Sequence, residues 1–179
     1  IVRAAIAAAD VPVPAWVRDQ PAGAVGQDPP YAPSDLSELA TWYAAHPEAT
    51  LIAGATDVGL WVTTQFRGLG PTAFWNNCTD LKTITETDRE IRIGAMATLT
   101  DVEKTIVPLH PSFAAMIQRY GSTQVRNAAT LGGNIANGSP IGDAPPALIA
   151  LGATLHLRHQ DNRRSMPLED FFIAYGKQD

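Results

Sequence analysis

The most informative stretch of the sequence for chemistry is T-L-G-G-N-I-A-N-G-S-P-I-G-D at residues 130–143, which carries four glycines. Glycine loses more conformational entropy on folding than any other residue, so this density predicts a loop or a close backbone approach rather than a helix. Another glycine-containing stretch, G-A-T-D-V-G at residues 54–59, follows a strand pattern at 50–53 and precedes a helix-like segment at 60–66. We call 54–59 the first glycine segment and 130–143 the second glycine segment.

Several kinds of chemistry are excluded by motif. No G-K-[ST] follows the first glycine segment, neither segment spells G-x-G-x-x-G, and Ser139 does not stand in G-x-S-x-G. His156 and His159 are three apart on a predicted strand and should face opposite sides, which does not suit a shared metal. The single Cys78 excludes an internal disulfide or a cysteine-based cluster. The sequence therefore predicts neither a catalytic residue nor a metal site.

Backbone anion binding remains as a candidate chemistry. Convergent N–H groups can hold a phosphate without lysine or arginine where glycine lets the backbone come close. Neutral hydrogen bonds, and carboxylates that accept from sugar hydroxyls, could be added by Thr56, Asp57, Thr130, Asn134, Asn137 and Asp143. On the residues alone, ordinary turns explain the two segments equally well.

Composition limits the partners of the chain. At 179 residues and 45% hydrophobic content it can form one domain or two small lobes. The formal charge of −5 argues against nucleic acid, and no apolar run is long enough to cross a membrane. The lone cysteine fits a cytoplasmic protein. Residues 1–9 are typical of a helix fragment rather than a signal peptide, and six prolines between Pro12 and Pro33 predict a linker or extended arm.

Local patterns predict a mixed α+β chain whose two lobes divide near residues 85–90. A helix begins at Asp35 in the capping box D-L-S-E and ends before Pro47, and another begins at Thr100 in T-D-V-E and ends before Pro108. Further helices are predicted at 112–120 and 143–152, and strands at 72–78, 81–87, 90–96, 153–159 and 165–172.

Three blocks of the sequence resemble a known family. They are L-I-A-G-A-T-D-V-G (51–59), I-R-I-G-A-M-A-T-L-T-D-V-E (91–103) and residues 124–155, which contain the specific pattern T-L-G-G-N-I…S-P-I-G-D. Together they resemble the FAD-binding domain of the molybdenum hydroxylases over residues 31–179. The resemblance implies a non-Rossmann α+β fold, the two-lobed molybdopterin dehydrogenase type that is similar to vanillyl-alcohol oxidase.

The resemblance also implies a domain order and a set of cofactor-binding residues. Residues 1–30 would link to an iron–sulfur domain, 31–87 and 88–179 would be two FAD-binding lobes, and a further C-terminal lobe would follow. Asp143 would bond the ribityl chain, and Tyr120 would stack on adenine, with a helix-end core residue as its alternative. The pyrophosphate and ribose would lie between Ala53, Gly54, Ala55, Thr56, Asp57, Val58 and Gly59 on one side and Thr130, Leu131, Gly132, Gly133, Asn134 and Asn137 on the other. The glycines would be required because the flavin dinucleotide passes within contact distance of the backbone.

Within the family, residues 59–65 are most similar to the FAD subunits of bacterial xanthine dehydrogenases. Electrons from purine hydroxylation would then travel through iron–sulfur clusters to FAD and on to NAD+. Molybdopterin and the [2Fe–2S] clusters are expected only on partner domains or on a large partner subunit, so this chain alone should not oxidise purine. The alternatives are the FAD subunit of a sister hydroxylase for aldehydes, carbon monoxide or N-heterocycles, a flavin-free assembly module, and an α+β domain without a ligand.

Overall fold

The computed structural model describes residues 30–174 and 177–179. The expected arm at 1–30 therefore lies outside the described residues apart from Pro30, and so does the helix fragment expected at 1–9. The helices are α1 (Leu36–Ala45), α2 (Val58–Thr63), α3 (Leu99–Ile106), α4 (Pro111–Arg119), α5 (Thr123–Ala128), α6 (Leu131–Ala136) and α7 (Ala144–Ala150). The strands are β1 (Thr50–Ile52), β2 (Thr72–Phe74), β3 (Ile84–Glu86), β4 (Ile91–Ile93), β5 (Thr154–His159), β6 (Asn162–Pro167), β7 (Phe172–Ala174) and β8 (Lys177–Gln178).

The strands of the described residues pair two by two. β1 and β2 are parallel, whereas β3–β4, β5–β6 and β7–β8 are antiparallel ladders. None of these four pairs is joined to another within the part of the chain that the structure describes. The mixture of helices and short strands is the α+β class that the sequence predicts. No helix in the described ranges is long and apolar enough to cross a membrane.

Two apolar clusters support these elements. The larger cluster lies between α3–α7 and the turn at Leu168–Phe171, and its most buried members include Leu99, Val102, Ile117 and Leu168. The smaller cluster joins α1 to the β1–β2 pair through Leu39, Ala73 and Cys78, with Tyr31, Trp42, Leu51, Trp75 and Leu81 against it. Burial of these side chains is the main source of stability for such short elements.

Helix α1 begins as predicted. The Asp35 carboxylate accepts hydrogen bonds from the backbone N–H groups of Ser37 and Glu38 at 2.8 and 2.9 Å. Glu38 does not complete the capping box by returning to Asp35. Its carboxylate instead accepts from the N–H and hydroxyl of Ser34 at 2.8 and 2.7 Å and from the Tyr31 hydroxyl at 2.5 Å. The helix thereby ties down the chain that enters it.

This carboxylate gives a pH-dependent prediction. Hydrogen bonds from Ser34 and Tyr31 lower the pKa of Glu38 to about 2, and the Glu38 carboxylate raises the pKa of Tyr31 to about 12. A lowered carboxyl pKa stabilises the fold above the unfolded value near 4.5, and that stabilisation is lost as the pH falls through 2. We expect an NMR titration to place the Glu38 midpoint near 2, and Tyr31→Phe to move it upward. An unchanged midpoint in Tyr31→Phe would remove the phenol as a cause.

The structure corrects several predicted element boundaries. Helix α3 begins at Leu99 rather than after Thr100, because the Thr98 hydroxyl accepts from Asp101 N–H and caps it. The strand predicted at 72–78 ends at Phe74, where the chain turns and Cys78 N–H bonds to Trp75 O. The return strand predicted at 165–172 is β6, which begins at Asn162. Helix α5 was not predicted, although Ser122 caps it in the ordinary way.

Candidate functional site

The first glycine segment lies at the carboxyl ends of two parallel strands. Trp75 N–H donates to Ile52 O at 3.2 Å, so the chain leaving β1 and the chain leaving β2 run side by side. Carboxyl ends of parallel strands are a common place for ligands. Residues 75–77, W-N-N, belong to this edge and are missing from the predicted site. Their signal in the sequence was an apolar strand pattern followed by small polar residues, as after β1.

The backbone N–H groups of the first glycine segment are unpaired. Within the described residues, those of Ala55, Thr56, Asp57 and Val58 donate to no protein acceptor. Asp57 precedes helix α2 without capping it through its side chain. Ala55 has a φ of 56°, in the left-handed region that residues with a Cβ rarely adopt. A strained turn with several unpaired N–H groups is suited to an anion.

The second glycine segment is helical in its first half, so the prediction of a loop there is wrong. Thr130, which is buried, accepts from Gly133 N–H at 3.1 Å and caps helix α6. The strand-like stretch before the helix is held by Leu131 N–H to Ala97 O at 2.9 Å and by Gly132 N–H to Ala95 O at 3.0 Å. These tertiary hydrogen bonds offset the low helix propensity of the two glycines.

The protein's own backbone accounts for glycine at two of the predicted positions. A Cβ on Gly54 would lie 1.9 Å from Ala128 O, and a Cβ on Gly132 would lie 2.7 Å from Ala95 O. Collision with a bound flavin is therefore not needed to explain these two residues. Gly59 differs, because a Cβ there would have nothing within 4 Å.

The two glycine segments touch each other. Gly54 packs on the backbone of Ala128 and Ala129, and a Cβ built on Gly133 would lie 3.9 Å from the Ala53 Cβ. We call the joint surface of residues 53–59 and 130–137 the cradle. It places the unpaired N–H groups of the first segment beside the start of helix α6.

Asn134 connects three parts of the site. Its Nδ2 donates to the Tyr120 hydroxyl at 3.2 Å, and its Oδ1 accepts from Ala144 N–H at 3.3 Å. Tyr120 ends helix α4 and packs half-buried against the larger cluster. Asn134 therefore fixes Tyr120 and the start of helix α7 relative to the cradle.

The remaining predicted residues divide by burial. Leu131 and Thr130 are 6% and 4% exposed, so their side chains are packed inside the protein and only their backbone is near the surface. Asn137 and Asp143 are exposed, and Asp143 makes no side-chain capping bond to helix α7. A carboxylate on the open side of the cradle can accept hydrogen bonds from hydroxyl groups.

The site carries little charge and no metal cluster. No group of three or more metal-ligating side chains occurs in the described residues. The nearest guanidinium is Arg126, which donates to the carbonyls of Tyr120 and Gly121 at 3.0 and 3.1 Å. Cys78 is buried away from the cradle in the smaller cluster, and burial raises the pKa of its thiol. Neutral hydrogen-bond donors are thus the main chemistry that the cradle offers.

Fold and site together define a cofactor-binding α+β domain that is not of the Rossmann type. The family described as "FAD binding domain in molybdopterin dehydrogenase" matches residues 27–179, and the chain belongs to this family. Membership confirms the resemblance seen in the sequence, the fold class and FAD as the cofactor. It also makes the chain a component of the oxidoreductase kind.

Similar proteins are larger than this chain. A nicotinate hydroxylase of Emericella nidulans is 31% identical over 163 residues, which are 81% of this chain and 12% of that protein. The xanthine dehydrogenase/oxidase of Gallus gallus is 32% identical over 160 residues, again 81% and 12%. A carbon monoxide dehydrogenase structure from Hydrogenophaga pseudoflava has a TM-score of 0.76 and 29% identity, covering 84% of this chain and 54% of that one. This chain thus spans about an eighth of its curated relatives and about half of the structural neighbour.

Proposed function

We propose that this chain is the FAD-binding, electron-transferring domain of a cytoplasmic xanthine dehydrogenase. The observation that carries the cofactor site is the run of unpaired N–H groups at Ala55–Val58, facing outward next to helix α6. A pyrophosphate has the negative charge and the acceptor oxygens that such a run lacks. FAD would supply the electron transfer, from iron–sulfur clusters that serve a molybdopterin-binding large subunit to NAD+.

Each part of the cradle has a proposed task toward FAD. The backbone of residues 53–59 holds the pyrophosphate and the adenosine ribose, and the backbone of 131–133 closes the other side. Asp143 and Asn137, both exposed, bind hydroxyl groups of the ribityl chain. Thr130 and Asn134 act indirectly, since their side chains hold helix α6 and Tyr120 in place.

The division into lobes stays part of this proposal. The smaller apolar cluster supports a first lobe at residues 31–87, and the larger one supports a second at 88–179. In the proposed protein, the proline-rich residues 1–30 lead from an iron–sulfur domain, and a C-terminal lobe follows the second. Neither neighbouring region is needed for the contact between Gly54 and Ala128 that joins the two segments.

A titration with flavins tests the cofactor site. We expect FAD to quench the tryptophan fluorescence at one-to-one stoichiometry, and riboflavin, which has no phosphate, to bind about tenfold to a hundredfold more weakly. The reason is that each hydrogen bond to a charged group contributes about 1.5–3 kcal/mol. Gly133→Val, which adds bulk facing Ala53, should abolish binding.

Gly68→Ala is the matched control for this titration, because a Cβ at Gly68 has nothing within 4 Å. It should bind FAD like the unchanged protein. Equal affinity for FAD and riboflavin would contradict the pyrophosphate site, and so would full binding by Gly133→Val.

A second candidate is a hydroxylase of N-heterocyclic acids. The nicotinate hydroxylase is as similar to this chain as the xanthine dehydrogenases are, at 31% against 32% identity. Turnover of xanthine and of nicotinate by the protein assembled with its molybdenum subunit separates the two candidates.

A further inference from the structure

The largest concave surface of the described residues lies between the β3–β4 and β5–β6 hairpins. This groove has a volume of about 920 Å³ and is lined by the consecutive residues 89–95 and 151–158. Side chains alternate between the two faces of a strand, so a groove lined by every residue of a run faces the edge of that strand. The groove therefore separates two strand edges.

The edge of β4 presents unpaired backbone groups. Gly94 N–H bonds to Thr83 O, and Thr87 N–H bonds to Glu90 O, which sets the alternation of the β3–β4 ladder. In an antiparallel ladder, bonded pairs alternate with pairs whose N–H and C=O groups point to the opposite edge. The pairs of Ile91 and Ile93 are of the second kind. Their backbone groups consequently point away from β3, on the side of the groove.

The edge of β5 is arranged in the same way. Leu168 N–H bonds to Ala153 O, and the ladder continues from there through His159 opposite Asn162. The alternation then turns the backbone N–H and C=O groups of Thr154, His156 and Arg158 away from β6. Each edge thus carries a row of hydrogen-bonding groups that no described strand pairs.

The groove has an apolar floor and a basic rim. The floor is formed by side chains of the larger cluster, Ile106, Phe113, Leu131, Ile135, Leu148 and Leu168. The rim carries five arginines and two glutamates, in a chain whose net charge is −5. The charged residues are Glu86, Arg89, Glu90, Arg92, Arg158, Arg163 and Arg164.

We propose that this groove receives one β-strand from the C-terminal lobe, which would join the two hairpins into a single sheet. The inference rests on the proposed presence of that lobe. Asp179 lies at the rim, where its carboxylate accepts from Arg164 at 2.6 Å, so polypeptide beyond it starts beside the groove. The carbon monoxide dehydrogenase neighbour supports the presence of such polypeptide, because this chain covers 54% of its length.

The groove specifies the chemistry of the strand. Apolar side chains at alternate positions would face the floor, and acidic side chains between them would meet the arginines of the rim. The strand would bond to β4 on one side and to β5 on the other. With six residues in β5 and a rise of about 3.3 Å per residue, about five or six residues would fill it.

Hydrogen exchange of the complete flavoprotein, compared with the 179-residue chain, tests the proposal. We expect the amides of Ile91, Ile93, His156 and Arg158 to exchange at least about a hundredfold more slowly in the complete protein, since paired amides exchange only after opening. Equal exchange in the two proteins would overturn the inference.

A proline on the edge strand makes the test specific. His156→Pro removes one N–H on the groove side, and an edge strand tolerates proline when the lost N–H was not part of a ladder. In the complete protein it should abolish the added protection at all four amides. His156→Ala, which keeps the N–H and loses the same contact with Ser165, should retain it. Loss of protection in both variants would mean that the side chain, not the edge, is responsible.

The flavin titration distinguishes this inference from the proposed function. FAD binding by the complete protein with fast-exchanging edges would refute the inserted strand and leave the cofactor site intact. Protected edges without FAD binding would refute the cofactor site alone.

Discussion

Gly54→Ala is expected to lower the free energy of unfolding by about 3 kcal/mol or more. The added Cβ would lie 1.9 Å from Ala128 O and 2.7 Å from Ala128 C, and both atoms belong to backbone that is held at the end of helix α5. Inserting a methyl group into a well-packed contact costs about 1–3 kcal/mol and more where the backbone must move. Denaturant unfolding monitored by circular dichroism measures the change. FAD affinity should fall with it, because the contact joins the two halves of the cradle.

Gly68→Ala gives the matched comparison, since it makes the same chemical change in open space. We expect its unfolding free energy to stay within about 0.5 kcal/mol of the unchanged protein, or to rise slightly because alanine restricts the unfolded chain. If Gly54→Ala unfolds at the same denaturant concentration as Gly68→Ala, the two glycine segments do not touch as described.

Asn134→Leu is expected to lower the free energy of unfolding by about 2–3 kcal/mol. The change removes the acceptor of Ala144 N–H and the donor to the Tyr120 hydroxyl together, in a half-buried place where water does not fully replace them. Thermal unfolding measures the loss. Because helix α7 and Tyr120 would lose their common support, FAD should also bind more weakly.

Tyr120→Phe separates the two bonds of Asn134. It removes only the hydroxyl, so a loss of about 1 kcal/mol is expected. In the double variant Asn134→Leu/Tyr120→Phe, the losses should add to less than their sum, since the two residues share a hydrogen bond. Strict additivity would contradict the role of Asn134 as the link between Tyr120 and helix α7.

Elements with local signals were predicted well from the sequence. Helix α1 begins at the predicted aspartate cap, helix α7 begins with the predicted prolines in its first turn, and β5 shows the predicted alternation. In each of these the decisive interaction lies within a few residues. Local residue patterns are sufficient in such cases.

Elements that depend on distant partners were not predicted. Helix α6 contains two glycines and forms because residues 130–132 are bonded to residues 95–98, which no local pattern reveals. The pairing of β1 with β2 likewise depends on chain packing, and it alone brings residues 75–77 to the site. Tertiary context overrides weak local preferences in both places.

The site itself was only partly readable from the residues. The two glycine segments marked the correct regions, but glycine density did not distinguish ordinary turns from a cofactor site. The burial of Thr130 and Leu131 depends on how helix α6 packs, so the sequence did not show that their side chains face inward. FAD entered through the resemblance to the family, which the family match confirms.

The contact between Gly54 and Ala128 has a consequence for biosynthesis. A ribosome releases residue 54 well before residue 128, and chains fold as their segments emerge. The first half of the cradle must therefore wait, with its strained turn at Ala55 unsupported, until helix α5 has been made. Nascent chains that stop before helix α5 should be unable to capture flavin, which makes cofactor loading a late event in the life of this protein.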